Sequence, residues 1–133
     1  MEMNVIVEEP TEVSQYDLQV QLFKVLGHPA RLAILDILRD GEHCVCHMET
    51  YLGQRQAYIS QQLSVLREAG LIRDRRDGWN IFYRVSDERI FTLLDLVRKH
   101  TGQSEILLTP DHQCNCPQCQ INNHTIVVEE NKK

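Results

Sequence analysis

The sequence predicts a mostly α-helical domain carrying one β-hairpin, and three observations predict it. Apolar residues recur at helical spacing through much of the chain, the period changes to two over residues 79–85, and Asp77-Gly78 separates that alternating run from the one before it. A chain of 133 residues can bury one modest core and is about one domain in size.

The elements follow in order. Ser14 can cap a first helix over about residues 15–25, with Leu18, Leu22, Phe23 and Leu26 as its apolar stripe and Gly27 as its stop. Pro29 suits the first turn of a second helix, whose core face is Leu32, Ile34, Leu35, Ile37 and Leu38 and whose exit is Asp40-Gly41. His28 reads as a polar residue at that helix start. A short third helix spans about residues 44–51 and ends at Leu52-Gly53. A fourth covers about 56–69, anchored by Ile59, Leu63 and Leu66, and Gly70 stops it. Leu71-Ile72-Arg73 and residues 79–85 then form a hairpin about Asp77-Gly78, in which Trp79 and Tyr83 are expected to pack across the strands. Ser86 or Asp87 caps a last helix ending near His100.

Three regions result: an acidic arm over 1–13, a folded domain over 14–103, and a polar cysteine-bearing tail over 104–133, broken by Pro110 and Pro117 and expected to be flexible. Two short helices joined around Gly53, followed by a two-stranded wing, describe a winged helix-turn-helix.

The net charge of −5 excludes a generally basic nucleic-acid coat. Between Gly53 and Arg84, however, six arginines face three acids, and this +3 window can hold phosphates. No apolar run is long enough to cross a bilayer, and the first 16 residues lack a signal-peptide pattern, so a cytoplasmic location is expected. Glycine-rich phosphate loops, nucleophile elbows and paired-carboxylate patterns are missing, which argues against an enzyme. The five cysteines fall into two tight groups, Cys44 with Cys46 and Cys114 with Cys116 and Cys119. In a reducing compartment such groups read as metal-binding or redox sites.

Leu26-Gly27-His28-Pro29-Ala30-Arg31-Leu32-Ala33-Ile34-Leu35, Glu42-His43-Cys44-Val45-Cys46, Ile59-Ser60-Gln61-Gln62-Leu63, Leu66-Arg67-Glu68-Ala69-Gly70-Leu71-Ile72 and Tyr83 occur in this order. With these motifs the chain resembles the ArsR/SmtB family of bacterial metal-sensing repressors over about residues 18–100. The resemblance implies a homodimer built on the first and last helices, with Phe91, Leu94, Leu96 and Val97 supplying much of the contact. It implies double-stranded operator DNA as partner and a repressor that needs no cofactor to bind it.

On this reading the fourth helix enters the major groove, about 12 Å wide. Gln56, Ala57, Tyr58, Ser60, Gln61, Gln62, Ser64 and Arg67 are its candidate DNA-contacting residues, since glutamine can pair with adenine and the hydroxyls with phosphate or base. Arg75, Arg76 and Asn80 of the wing would touch backbone or minor groove.

Soft thiolates at Cys44 and Cys46 select arsenic(III) first, then cadmium and lead, with zinc also in reach. On a regular helix two residues two apart point away from each other, so both sulfurs meet one ion only if the first turn is irregular. Arsenic-sensing relatives often carry a third cysteine three residues on, where this chain has Glu49. A third ligand would then come from His47 or from Cys114, Cys116 or Cys119, in one composite site or as two separate sites. The zinc-sensing pattern on the last helix is incomplete, with Asp87, Arg89, His100 and Gln103 at its four positions. Two other readings keep the fold: a repressor switched by oxidation or persulfide chemistry, and a winged helix used only for protein contacts.

Overall fold

The computed structural model describes residues 13–103, so the acidic arm up to residue 12 and the tail from 104, with Cys114, Cys116 and Cys119, lie outside the described residues. A short 3-10 turn (Val13–Tyr16) leads into α1 (Asp17–Leu26), followed by α2 (Pro29–Ile37), β1 (His43–Cys44), α3 (Val45–Leu52), α4 (Gln56–Glu68), β2 (Ile72–Asp77), β3 (Asn80–Val85) and α5 (Arg89–His100). This is a winged helix-turn-helix, as the sequence predicts. The three strands form one antiparallel sheet in the order β1-β3-β2.

Local chemistry accounts for the boundaries. His28 caps α2, its Nδ1 accepting from the Ala30 amide at 3.2 Å, and Pro29 occupies the first turn, where its missing N–H costs nothing. Gly53 closes α3 in the left-handed region at φ 65°, its amide donating to the Glu49 carbonyl at 2.8 Å. That residue turns the chain between the two helices of the motif.

The core is shared by all five helices and the sheet. Ile34, Leu35, Leu38, Met48, Ile59, Leu63, Leu66 and Ile72 are almost fully buried. Ion pairs then tie α5 to α2 and to the 3-10 turn (Leu38–Asp40) that follows it: Arg98 Nη2 to Asp36 at 2.7 Å and Arg39 Nη2 to Asp95 at 2.7 Å.

Several expectations need correction. Asp77 pairs with Asn80, so the turn residues are Gly78 and Trp79 and the hairpin reverses one residue later than Asp77-Gly78 implies. Gly78 has φ 64° and among the described residues no non-glycine has positive φ, the sign pattern of a type II′ turn with glycine first. Trp79 consequently stands at the wing tip, 98% exposed, instead of packing across strands, whereas Tyr83 is buried. Leu94 faces its own core and is 8% exposed, and Phe91 is half-buried under the Arg39 guanidinium, 5.0 Å from the ring centroid. Neither is presented outward. The exposed apolar side chains of the first and last helices are Leu18, Val20 and Phe23 on α1, and Leu96 and Val97 on α5.

Asp87, not Ser86, supports the start of α5. Its Oδ1 accepts from the Arg89 amide at 2.9 Å, and its Oδ2 meets Arg89 Nη2 at 2.6 Å. The Arg89 side chain and then its amide hold this carboxyl at about 2, below the ordinary 3.8. A depressed carboxylate contributes stability that is present above the unfolded value and lost as pH falls from about 3.8 to about 2. Asp87→Ala should therefore lower Tm slightly at pH 7, and the difference from wild type should vanish near pH 2; calorimetry across that range checks it.

Candidate nucleic-acid interface and thiol pair

Helix α4 presents two distinct faces. Ile59, Gln62, Leu63 and Leu66 point inward, while Gln56, Ala57, Gln61 and Arg67 are exposed, and Tyr58, Ser60 and Ser64 are half-buried along the border. Gln62 therefore leaves the set of DNA-contacting candidates. It is 6% exposed, and its Oε1 accepts from Arg31 Nε of α2 at 2.8 Å while the Arg31 Nη1 donates to the Val25 carbonyl at 3.1 Å. A buried amide must be satisfied internally, and Arg31 does so. Arg55 at the N-cap contributes no side-chain hydrogen bond there, so no side chain caps the first turn of α4.

On the wing, Arg76 is exposed and Asn80 half-buried, whereas Arg75 is already engaged. Its Nε and Nη2 donate to the Glu42 carboxylate at 2.7–3.2 Å, and its guanidinium lies 5.0 Å from the centroid of Phe82. The Arg75 hydrogen bonds hold the Glu42 carboxyl below its ordinary value. Arg67 pairs with Asp74 across the foot of the wing at 3.2 Å.

Cys44 and Cys46 sit where β1 becomes α3. Cys44 is the N-cap, with extended backbone (φ −90°, ψ 170°), and Cys46 lies in the first helical turn. The helix thus starts one residue later than the sequence implies, and the extended Cys44 removes the helical obstacle to convergence. The two sulfurs are 2.6 Å apart. Together with Phe82 they form a small buried cluster separate from the main core, with Cys44 only 3% exposed.

The histidines take the other side of this junction. His43 and Cys44 are consecutive in a strand and so face opposite ways. His43 stacks on His47 with centroids 4.3 Å apart, His47 meets Tyr51 at 4.4 Å, and His43 Nε2 lies 2.7 Å from Asp40 Oδ1. Burial and the neighbouring His43 push His47 down to about 4, so it is neutral near pH 7, and its Nε2 is buried without a hydrogen-bond partner. Among the described residues no three His, Cys, Asp or Glu side chains converge on one point, and His47 lies on the side of the junction away from the sulfurs. The two sulfurs lie side by side but closer together than two donors on one soft ion, so holding an ion requires them to move apart. Asp87 and Arg89 are occupied with each other.

Sequence reasoning missed β1, Glu42 and Phe82. The alternation of residues 79–85 contains Phe82, but its pairing with Cys44, almost forty residues earlier, is not a local signal.

A helix-turn-helix with a polar outer face and an arginine-bearing wing defines a winged-helix regulator. Residues 28–74 match the family described as bacterial regulatory protein, arsR family. The chain is 37% identical over 98 residues to the biofilm growth-associated repressor of Agrobacterium fabrum, covering 67% of this chain and 84% of that one. It is 47% identical over 70 residues to the arsenical resistance operon repressor of Escherichia coli, covering 52% of this chain and 60% of that repressor. The homodimeric winged helix-turn-helix DNA-binding domain of a possible ArsR-family regulator from Mycobacterium bovis superposes with TM-score 0.61 at 29% identity, covering 71% of this chain and 93% of that domain. The chain belongs to the arsR family of bacterial transcriptional regulators. Among the described residues no helix is long and apolar enough to cross a membrane.

Proposed function

We propose that this arsR-family repressor binds operator DNA as a homodimer and lets go when Cys44 and Cys46 capture a thiophilic ion. Arsenic(III) is the first choice, with cadmium and lead next. The meeting of the two sulfurs at the foot of α3, the helix that packs on α4, carries the reading. Soft sulfur donors prefer soft ions, and each thiol gives up its proton on binding one. The remaining coordination falls to a donor outside the described residues, with Cys114, Cys116 and Cys119 as candidates from the tail, or to solvent. Rearranging the start of α3 displaces α4 and its base-facing residues.

Gln56, Ala57, Tyr58, Ser60, Gln61, Ser64 and Arg67 then read the major groove, and Arg75, Arg76 and Asn80 serve the wing. Exposed apolar side chains on α1 and α5 supply the dimer contact. Titrating arsenite, cadmium, lead and zinc into a complex with labelled promoter DNA, followed by anisotropy, tests the function. Release by none of them would refute it.

Gln61 and Gln62 separate recognition from folding. Gln61→Ala should cost about 1–3 kcal/mol of discrimination at one base pair with Tm unchanged. Gln62→Ala should lower Tm and leave sequence preference intact, because it strands Arg31. Competition binding and thermal melts of the pair check both.

A further inference from the structure

The thiol pair reaches the wing by a route that bypasses the reading helix. Cys44 pairs with Phe82 across β1 and β3, and Phe82 pairs with Arg75 across β3 and β2. Directly paired residues of an antiparallel sheet share a face, so sulfur, ring and guanidinium form a row across all three strands. Each link is a contact: Cys44 packs with Phe82 and Cys46 packs against that cluster, Arg75 stacks over the ring, and Glu42 grips Arg75. Glu42 lies two residues before Cys44, so the row closes on itself.

We propose that Phe82, Arg75 and Glu42 are positioning residues that carry ion capture into the wing, so that wing and reading helix lose the duplex together. This rests on the thiol-sensing function above. Cys44 and Phe82 are buried at 3% and 4% exposure, and an ion held by the sulfurs adds atoms beside a ring already packed against them. The ring gives way. Above it sits a cation–π contact and a surface ion pair, both individually weak and easily exchanged. Their rearrangement moves Arg75 and the outer strand relative to the phosphates. β2 does not pair with β1, so within the sheet the thiol pair reaches it through β3 and the side chains upon it, with the Glu42–Arg75 pair as a direct tie from the residue before β1.

The test uses the full chain, reduced, with cadmium as probe and the sulfur-to-cadmium absorbance as proof of binding. In wild type, cadmium should shift the backbone amide resonances of residues 73–77 without DNA present. Phe82→Leu keeps the site apolar but removes the ring face, and Glu42→Gln removes the charge that holds Arg75. Both variants should bind cadmium within about threefold of wild type, lose most of the β2 shifts, and show a ratio of DNA affinities without and with cadmium reduced about fivefold. Glu42 is half-buried outside the main core, so its variant reports even if Phe82→Leu folds poorly. Silent β2 amides in cadmium-loaded wild type, or an undiminished ratio in both variants, would overturn the proposal alone. Cadmium bound to wild type with no loss of DNA would overturn the sensing function and this proposal with it.

Discussion

Replacing Cys44 and Cys46 together by serine should yield a repressor that grips its operator normally and no longer releases it. In wild type the ion should weaken DNA binding by a factor within the usual allosteric range, about 5–150-fold, and in the double variant the factor should fall to about one. Serine oxygen is a hard donor that stays protonated near neutrality, so it cannot replace thiolate toward a soft ion. Cys44 is buried against Phe82, and a hydroxyl there costs on the order of 1–3 kcal/mol unless bonded. Cys44→Ala with Cys46→Ala is therefore the companion variant. Anisotropy at fixed salt, with and without arsenite or cadmium, gives the factor directly. Release that persisted in both double variants would move the switch away from the start of α3.

Charging the outward faces of α1 and α5 should have an effect of similar size through a different cause. Phe23 and Leu96 are 59% and 58% exposed, large apolar surface that an isolated protomer leaves in water. Phe23→Glu with Leu96→Glu should give a monomer by sedimentation. A monomer holds one half-site and forfeits the tethering of the second, which lowers operator affinity by about 10²–10⁴. Fewer phosphates are neutralised as well, so the slope of log affinity against log salt should fall toward half. A double variant that still sedimented as a dimer would place the contact on other residues.

The helical skeleton was legible in the sequence because its signals are local. Pro29 opens α2, Gly53 and Gly70 close two helices, and the stripe of Ile59, Leu63 and Leu66 faces the core as its spacing requires. The corrections share a different character. Gln62 lies in the inward row between Ile59 and Leu66, and polarity alone misleads there because the partner that satisfies it, Arg31, is on another helix. The turn is displaced by one residue because cross-strand register, not the Asp-Gly pair, chose which glycine conformation was used. Two residues of β1 are too short for any period, and the strand exists because β3 offers it an edge. The spacing of Cys44 and Cys46 was readable as a pair, but the extended backbone that joins their sulfurs follows from that same distant pairing.

The ion pairs between α5 and α2 have a mechanical corollary. Asp36 and Arg98 are mostly shielded, at 12% and 15% side-chain exposure, and Arg39 adds a second bolt to Asp95. Where shielded charges are bolted together, sliding one helix along the other would strand a charge at a cost of several kcal/mol. α5 and α2 therefore move as one stiff piece. In the homodimer proposed above, two such pieces would act as a caliper of fixed gauge, with little play to accept operators whose two halves are spaced differently.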